Sequence, residues 1–198
     1  IKQFIKKKNK WFEKKIKEEE SGKFKLIDSI TNIKNLEKKI GINLSNNQKI
    51  IEFSPLAFKF LNILSKKINS FEGGLLIIDY GYFEKKMKNS LKSVYKHNFN
   101  NILSNFGKSD ITYNINFFLL KKIAEKFNLK VAGLTSQGSF LTRLGISHRA
   151  EILAKNLEFS KKADIYYRLK RLIDKNFMGE LFKVMFISKK NLKFNTGF

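Results

Sequence analysis

Cysteine is missing altogether from this 198-residue chain. With it go disulfides, thiolate nucleophiles and thiolate metal sites. His97 and His148 are the only histidines, too few for a His-rich centre, so no metal site is expected. No apolar run approaches the ~18 residues of a membrane span. Acidic residues are scarce: 17 Asp and Glu stand against 40 Lys and Arg. A charge of +23 points towards nucleic acid or an acidic membrane when the cations cluster, but here the lysines are spread along the chain. Arginine, the residue suited to bidentate base and phosphate recognition, is rare. No standard nucleic-acid-binding motif is visible. Lys, Asn, Ile and Phe are enriched together, as an AT-rich genome would enrich them. The charge is therefore read as solubility and non-specific attraction, with no specific nucleic-acid partner. G-x-G-x-x-G and P-loop signatures are also absent, as is any internal repeat.

What is present supports a core. At 42% hydrophobic and 14% aromatic residues, the chain suits one α/β domain or a large piece of one. It opens on Ile1 and reads as mid-protein, so an N-terminal part is expected to be missing. Glu18, Glu19 and Glu20 are what a transit peptide avoids. Residues 1–30 alternate apolar and charged positions around the Ser21-Gly22 turn signal, which predicts a hairpin. Residues 31–50 read as a connection. Ser54 and Pro55 suit the N-cap and first position of a helix whose apolar face is Ala57, Phe60, Leu61, Leu64 and Ile68.

The run LLIIDYG then reads as a buried parallel strand ending at Asp79. Residues 84–109 read as polar and irregular. A second amphipathic helix, with Asn116 as its cap, carries Leu120, Ile123, Ala124 and Phe127. LKVAGL (129–134) reads as a strand and 137–157 as a helix broken near Gly145. A further helix spans 160–173, and LFKVMFIS (181–188) closes as a strand. This is an α/β alternation. If the fold is of nucleotide-binding type, its phosphate- or cofactor-gripping first strand-to-helix turn is not in the chain.

Four segments carry a resemblance: GGLLIIDYGY at 73–82, DITYNINF at 110–117, TSQGSFLTRLGISHRAEIL at 135–153 and RLIDKNFMGELFKVMFISK at 171–189. In this order and spacing the chain resembles the MidA-like family of S-adenosylmethionine-dependent methyltransferases, which includes a mitochondrial complex I assembly factor that methylates arginine. The likeness is to the family's C-terminal half. It implies that residues 1–198 are the C-terminal portion of a single methyltransferase domain: part of a Rossmann-like class I methyltransferase sheet with helices on both faces, plus hairpin insertions. It also implies that the Gly-rich cofactor loop and an acidic motif lie upstream, so that this chain alone is inactive. The implied cofactor is S-adenosylmethionine, and the implied substrate is arginine in a protein such as a respiratory complex subunit. The implied location is the cytoplasm in a bacterium and the mitochondrion in a eukaryote. The family has His and Asp where this chain has Asn114 and Asn116, which removes any role needing charge or an imidazole there.

Each candidate site residue keeps two readings. Asp79, at a strand's carboxyl end where ligands of open α/β sheets bind, is the catalytic candidate: it either orients a guanidinium by bidentate hydrogen bonds or caps the next turn. Tyr80 either presents its ring to cofactor or substrate or simply packs. Asp110 and Thr112 line a substrate groove, as the resemblance implies, or make local turn bonds. Gln137 binds substrate polar groups or serves the start of a helix. Arg149 reads as a structural ion pair and His97 as solvated. No residue is assigned to the cofactor. Two other functions compete: a non-catalytic assembly scaffold and a basic nucleic-acid-binding module. Neither explains the four ordered motifs.

Overall fold

A computed structural model describes residues 1–198, and the chain divides into two compact units: 1–62 with 84–114, and 63–83 with 115–198. In the first unit, β1 (Lys2–Lys7), β2 (Lys10–Glu18) and β3 (Phe24–Thr31) form an antiparallel meander. The expected hairpin around Gly22 is there. A second one precedes it, because Lys8 and Asn9 both take positive φ (44° and 62°) and close a tight turn. The stretch read as a connection holds α1 (Ile33–Ile40), capped by Asn32 Oδ1 on the Lys34 N–H and closed by Gly41 at φ 64°. β4 (Ile50–Phe53) adds to the free edge of β1, giving the order β3-β2-β1-β4.

α2 (Pro55–Ser70) starts as expected, with Ser54 Oγ accepting from the Ala57 N–H at 3.2 Å. Leu61 and Ile68 are buried, but Phe60, expected on the same face, is exposed.

β5 (Gly74–Tyr82) pairs parallel, as expected, where Gly81 and Tyr82 meet Ile115 and Asn116, but it departs from expectation in three ways. It runs on past Asp79 to Tyr82, its long neighbour is antiparallel, and alternate residues face solvent. The residues read as irregular hold β6 (Lys92–Tyr95) and β7 (Asn98–Asn100), which join β8 (Asp110–Thr112) in a small antiparallel sheet of the first unit.

The second unit continues with β9 (Ile115–Asn116), α3 (Phe117–Lys126), β10 (Leu129–Ser136), α4 (Gln137–Arg143), α5 (Ile146–Ala154), α6 (Phe159–Ile173), α7 (Met178–Leu181) and β11 (Phe182–Lys189). Asn116 caps α3 by accepting from the Leu119 N–H at 3.0 Å. Gly145, at φ 81°, breaks α4 from α5 as the sequence predicts. The sheet order is β10-β11-β5-β9. β11 runs antiparallel to both long neighbours, so β10 and β5 point the same way. Successive residues Val184 and Met185 are both fully buried; since neighbours on a strand face opposite sides, β11 is covered on both faces. No helix is long and apolar enough to cross a membrane.

Candidate functional site at the sheet's carboxyl edge

Register places the site. Asp79 on β5 pairs with Lys183 on β11, and Lys183 pairs with Ser136 on β10. Residues directly opposite one another point to the same face, so Asp79, Lys183 and Ser136 form one row. The row lies near the carboxyl ends of the two like-directed strands, where open α/β sheets bind ligands.

Lys183 is the natural counter-ion for Asp79, yet its Nζ is bound by the carbonyl and carboxylate of Glu180 on α7. Asp79 is left with no ion pair; its Oδ1 accepts only from the adjoining Tyr80 N–H, at 2.7 Å. Tyr80 is 42% exposed and stacks on Phe182 with ring centroids 4.2 Å apart. Ser136 caps α4 by accepting from the Ser139 N–H at 3.3 Å. Gln137 is buried, and its amide donates to the Leu172 carbonyl at 2.9 Å, closing the end of α6. Two clefts adjoin the row. One, of about 440 Å³, includes Phe83, Lys121, Thr135 and Lys183. The other, of about 390 Å³, includes Ser139, Thr142, Arg143, Lys175 and Glu180.

Asp110 and Thr112 belong to the first unit, so the structure assigns the five sequence candidates to two units. Asp110 is exposed, and the buried Thr112 Oγ1 has no hydrogen-bond partner. Near them lies a network that sequence reading missed. Buried Glu52 accepts at Oε1 from Gln3 Nε2 (3.0 Å) and from the Ser90 and Leu91 N–H groups (2.9 Å each), and at Oε2 from Ser90 Oγ (2.5 Å). Ser90 Oγ in turn accepts from the Asn114 N–H at 2.9 Å. Thus one carboxylate ties β1, β4 and the DITYN motif together. Beside it, a cleft of about 460 Å³ is lined by Gln3, Lys14, Leu26, Asn89, Phe106 and Ile111 among others. The available signals were Glu52 inside the apolar run IIEF and Lys183 inside LFKVMFIS: a charge within a strand core needs a partner.

Residues 1–135 match the model of a family described as "putative S-adenosyl-L-methionine-dependent methyltransferase". The chain is similar to the mitochondrial protein arginine methyltransferase NDUFAF7 of Mus musculus, with 31% identity over 144 residues, 71% of this chain and 32% of the relative. The protein of that name from Xenopus tropicalis is 27% identical over 134 residues, 67% of this chain and 31% of the relative. A COG1565 superfamily member from Burkholderia thailandensis, crystallised with S-adenosyl-homocysteine, superposes with a TM-score of 0.81 at 20% identity, over 100% of this chain and 52% of that one. The likeness shows the fold, a Rossmann-like methyltransferase α/β architecture. The chain spans about a third of the length of these curated relatives and about half that of the solved one.

The clefts do not by themselves fit S-adenosylmethionine. Ribose hydroxyls and a sulfonium call for acceptors, as the ribose-binding Asp or Glu of dinucleotide folds illustrates. The cleft beside Lys121 and the cleft beside Gln3 include no carboxylate, and the third offers only Glu180, already bound to Lys183.

Proposed function

Because this chain belongs to the S-adenosyl-L-methionine-dependent methyltransferase family, we propose that it forms the substrate-side part of a protein arginine methyltransferase whose cofactor loop lies outside residues 1–198. Methyl transfer from a sulfonium needs no metal; it needs an in-line nucleophile, and positioning does most of the work. A guanidinium is a reluctant nucleophile, because it is protonated at neutral pH. A carboxylate must hold it and draw its charge to one side while a proton leaves. In this reading Asp79 is that carboxylate, and Tyr80 contributes an aromatic wall beside it. Gln137 is proposed to shape the substrate groove indirectly, through α6.

The observation that carries the proposal is the diversion of Lys183 to Glu180, which leaves Asp79 half-buried at a strand's carboxyl end without a counter-ion. The substrate class follows the arginine methyltransferase names of the relatives, and a respiratory complex subunit in a mitochondrion fits their mitochondrial designation. In a bacterium the same enzyme would act in the cytoplasm. A second reading, the assembly scaffold without catalysis, is favoured by the poverty of acceptors in the clefts.

Turnover by the unaltered longer protein separates the two, and Asp79→Asn tests the role of Asp79. The first reading expects turnover on an arginine-containing substrate to fall about a hundredfold or more, the scale on which a group stabilising developing charge is felt, with S-adenosylmethionine affinity unchanged. Unaltered turnover would rule Asp79 out.

A further inference from the structure

The cleft beside Gln3 lies wholly within the first unit, and the function proposed above leaves it unused. One wall is the face of the meander, where Ile16 stands opposite Leu26 and Lys14 opposite Asp28. The rest of the lining includes Phe106 and Ile111. Phe106 packs edge-on against Phe24 of β3 with ring centroids 5.1 Å apart, and Asn100 Nδ2 donates to Ser109 Oγ at 3.1 Å, so the loop that completes the cleft is braced. Among these apolar side chains stand three polar groups without a protein partner. Gln3 is only 6% exposed. Its Nε2 donates to Glu52 Oε1 at 3.0 Å and to Asn89 Oδ1 at 2.8 Å. That uses both amide hydrogens and leaves Gln3 Oε1 an unpartnered acceptor. Asn89 accepts through Oδ1, so its Nδ2 is a donor with no protein acceptor. Lys14 makes no ion pair, and the carboxylate opposite it, Asp28, is taken by Lys7 at 2.5 Å.

We infer that this cleft docks a short segment of the protein substrate, with an apolar side chain seated among Ile16, Leu26 and Phe106 and an acidic residue next to it on Lys14. A peptide unit carries one N–H and one C=O. The adjoining amides of Gln3 and Asn89 offer the matching acceptor and donor. A nearly buried acceptor without a donor costs free energy, and a docked N–H removes that cost. The volume, about 460 Å³, falls in the range of roughly 300–1,000 Å³ that holds small ligands. Lys14 is the only cation in the lining. One ammonium in an apolar setting suits one carboxylate, whereas a nucleic-acid backbone calls for many phosphate contacts. The excess of Lys and Arg over Asp and Glu in this unit, 21 against 9, draws an acidic segment towards it. The inference rests on the protein-substrate reading above and adds a place, apart from Asp79, where that substrate is held.

The probe is acetyl-Glu-Leu-Glu-amide, with acetyl-Lys-Leu-Lys-amide and acetyl-Glu-Ser-Glu-amide as controls. Each is titrated into residues 1–198 and into the longer protein that reads through Ile1, both methyl-labelled at Ile and Leu. The acidic leucine peptide is expected to shift the Ile16, Leu26 and Ile111 methyl resonances in both proteins, and the controls to bind about tenfold or more weakly. Asn89→Asp keeps the acceptor for Gln3 and removes the free donor; Lys14→Glu reverses the cation. Each is expected to weaken binding about tenfold or more, the scale of a charge-assisted hydrogen bond, with circular dichroism unchanged. Unmoved affinity in both variants would overturn the inference. So would equal binding of the three peptides, or binding to residues 1–198 that is absent from the longer protein. Methyl transfer by the longer protein is read separately. Peptide binding without transfer sinks the functional reading and leaves the peptide cleft standing; transfer without peptide binding sinks the cleft alone.

Discussion

Single carboxylates hold much of this molecule together, and each does so with donors the local sequence does not reveal. Glu37 on α1 is buried, ion-paired to Lys34 at 2.8 Å and bonded to the Leu44 and Ser45 N–H groups at 2.7 and 2.6 Å. Burial by itself would raise its pKa; Lys34, Ser45 and Leu44 together outweigh burial and hold the carboxyl below the ordinary glutamate value. A depressed folded-state pKa contributes stability above the unfolded value of about 4.3, and that stability is lost as pH falls through the folded value. Glu37→Gln is expected to cost roughly 1–3 kcal/mol at pH 7, the scale of an impaired buried charge-assisted network, and the gap from wild type should close as acid protonates Glu37. Urea denaturation at pH 7 and in acid checks both; a gap that persists in acid would assign the loss to packing. Asp79 was legible as a candidate because it follows an apolar run. Its freedom from Lys183 was not, since the strand register that sets Lys183 opposite Asp79 is not written locally, although the Glu180 that holds Lys183 lies only three residues before it.

At the scale of elements, local chemistry predicted boundaries well where a cap or breaker was present. Ser54-Pro55, Asn116 and Gly145 each sit where they were read. It failed where the deciding neighbour is remote. The run LLIIDYG reads as a buried parallel strand, but β11 arrives antiparallel from the chain's end, and no residue within β5 encodes that. α1 was missed because its polar, lysine-rich stretch looks like a connection until its buried Ile33, Glu37 and Ile40 are seen to share a face. The crossing of α4, α6 and α7 depends on two glycines. A Cβ on Gly179 would stand 2.1 Å from the Ile173 carbonyl oxygen, and one on Gly138 would stand 2.4 Å from it. Gly179→Ala is expected to destabilise the second unit by about 1–3 kcal/mol or more through overpacking. It should also loosen Glu180 and return Lys183 to Asp79. Thermal unfolding checks the first effect, and a drop in turnover with unchanged cofactor affinity in the longer protein checks the second.

For the whole molecule, the excess positive charge is divided between the two units. Lys and Arg number 21 against 9 Asp and Glu in the first unit, and 19 against 8 in the second, so neither unit concentrates the excess. Binding to duplex DNA or RNA is expected to be independent of sequence and to vanish steeply with salt; sequence-selective binding that survives physiological salt would contradict this. The family was legible from four ordered motifs, because ordered spacing constrains more than composition does. The candidate site was legible only in part: Asp79, Tyr80 and Gln137 were named as candidates, but the row through Lys183 and Ser136 follows from strand register. The central claim is that this chain supplies the substrate side of a methyltransferase whose cofactor grip lies elsewhere in the domain. Calorimetric titration of S-adenosylmethionine into residues 1–198 and, in parallel, into the longer protein tests it most directly. The account predicts binding to the longer protein only; equal binding to both, or binding to neither, would contradict it.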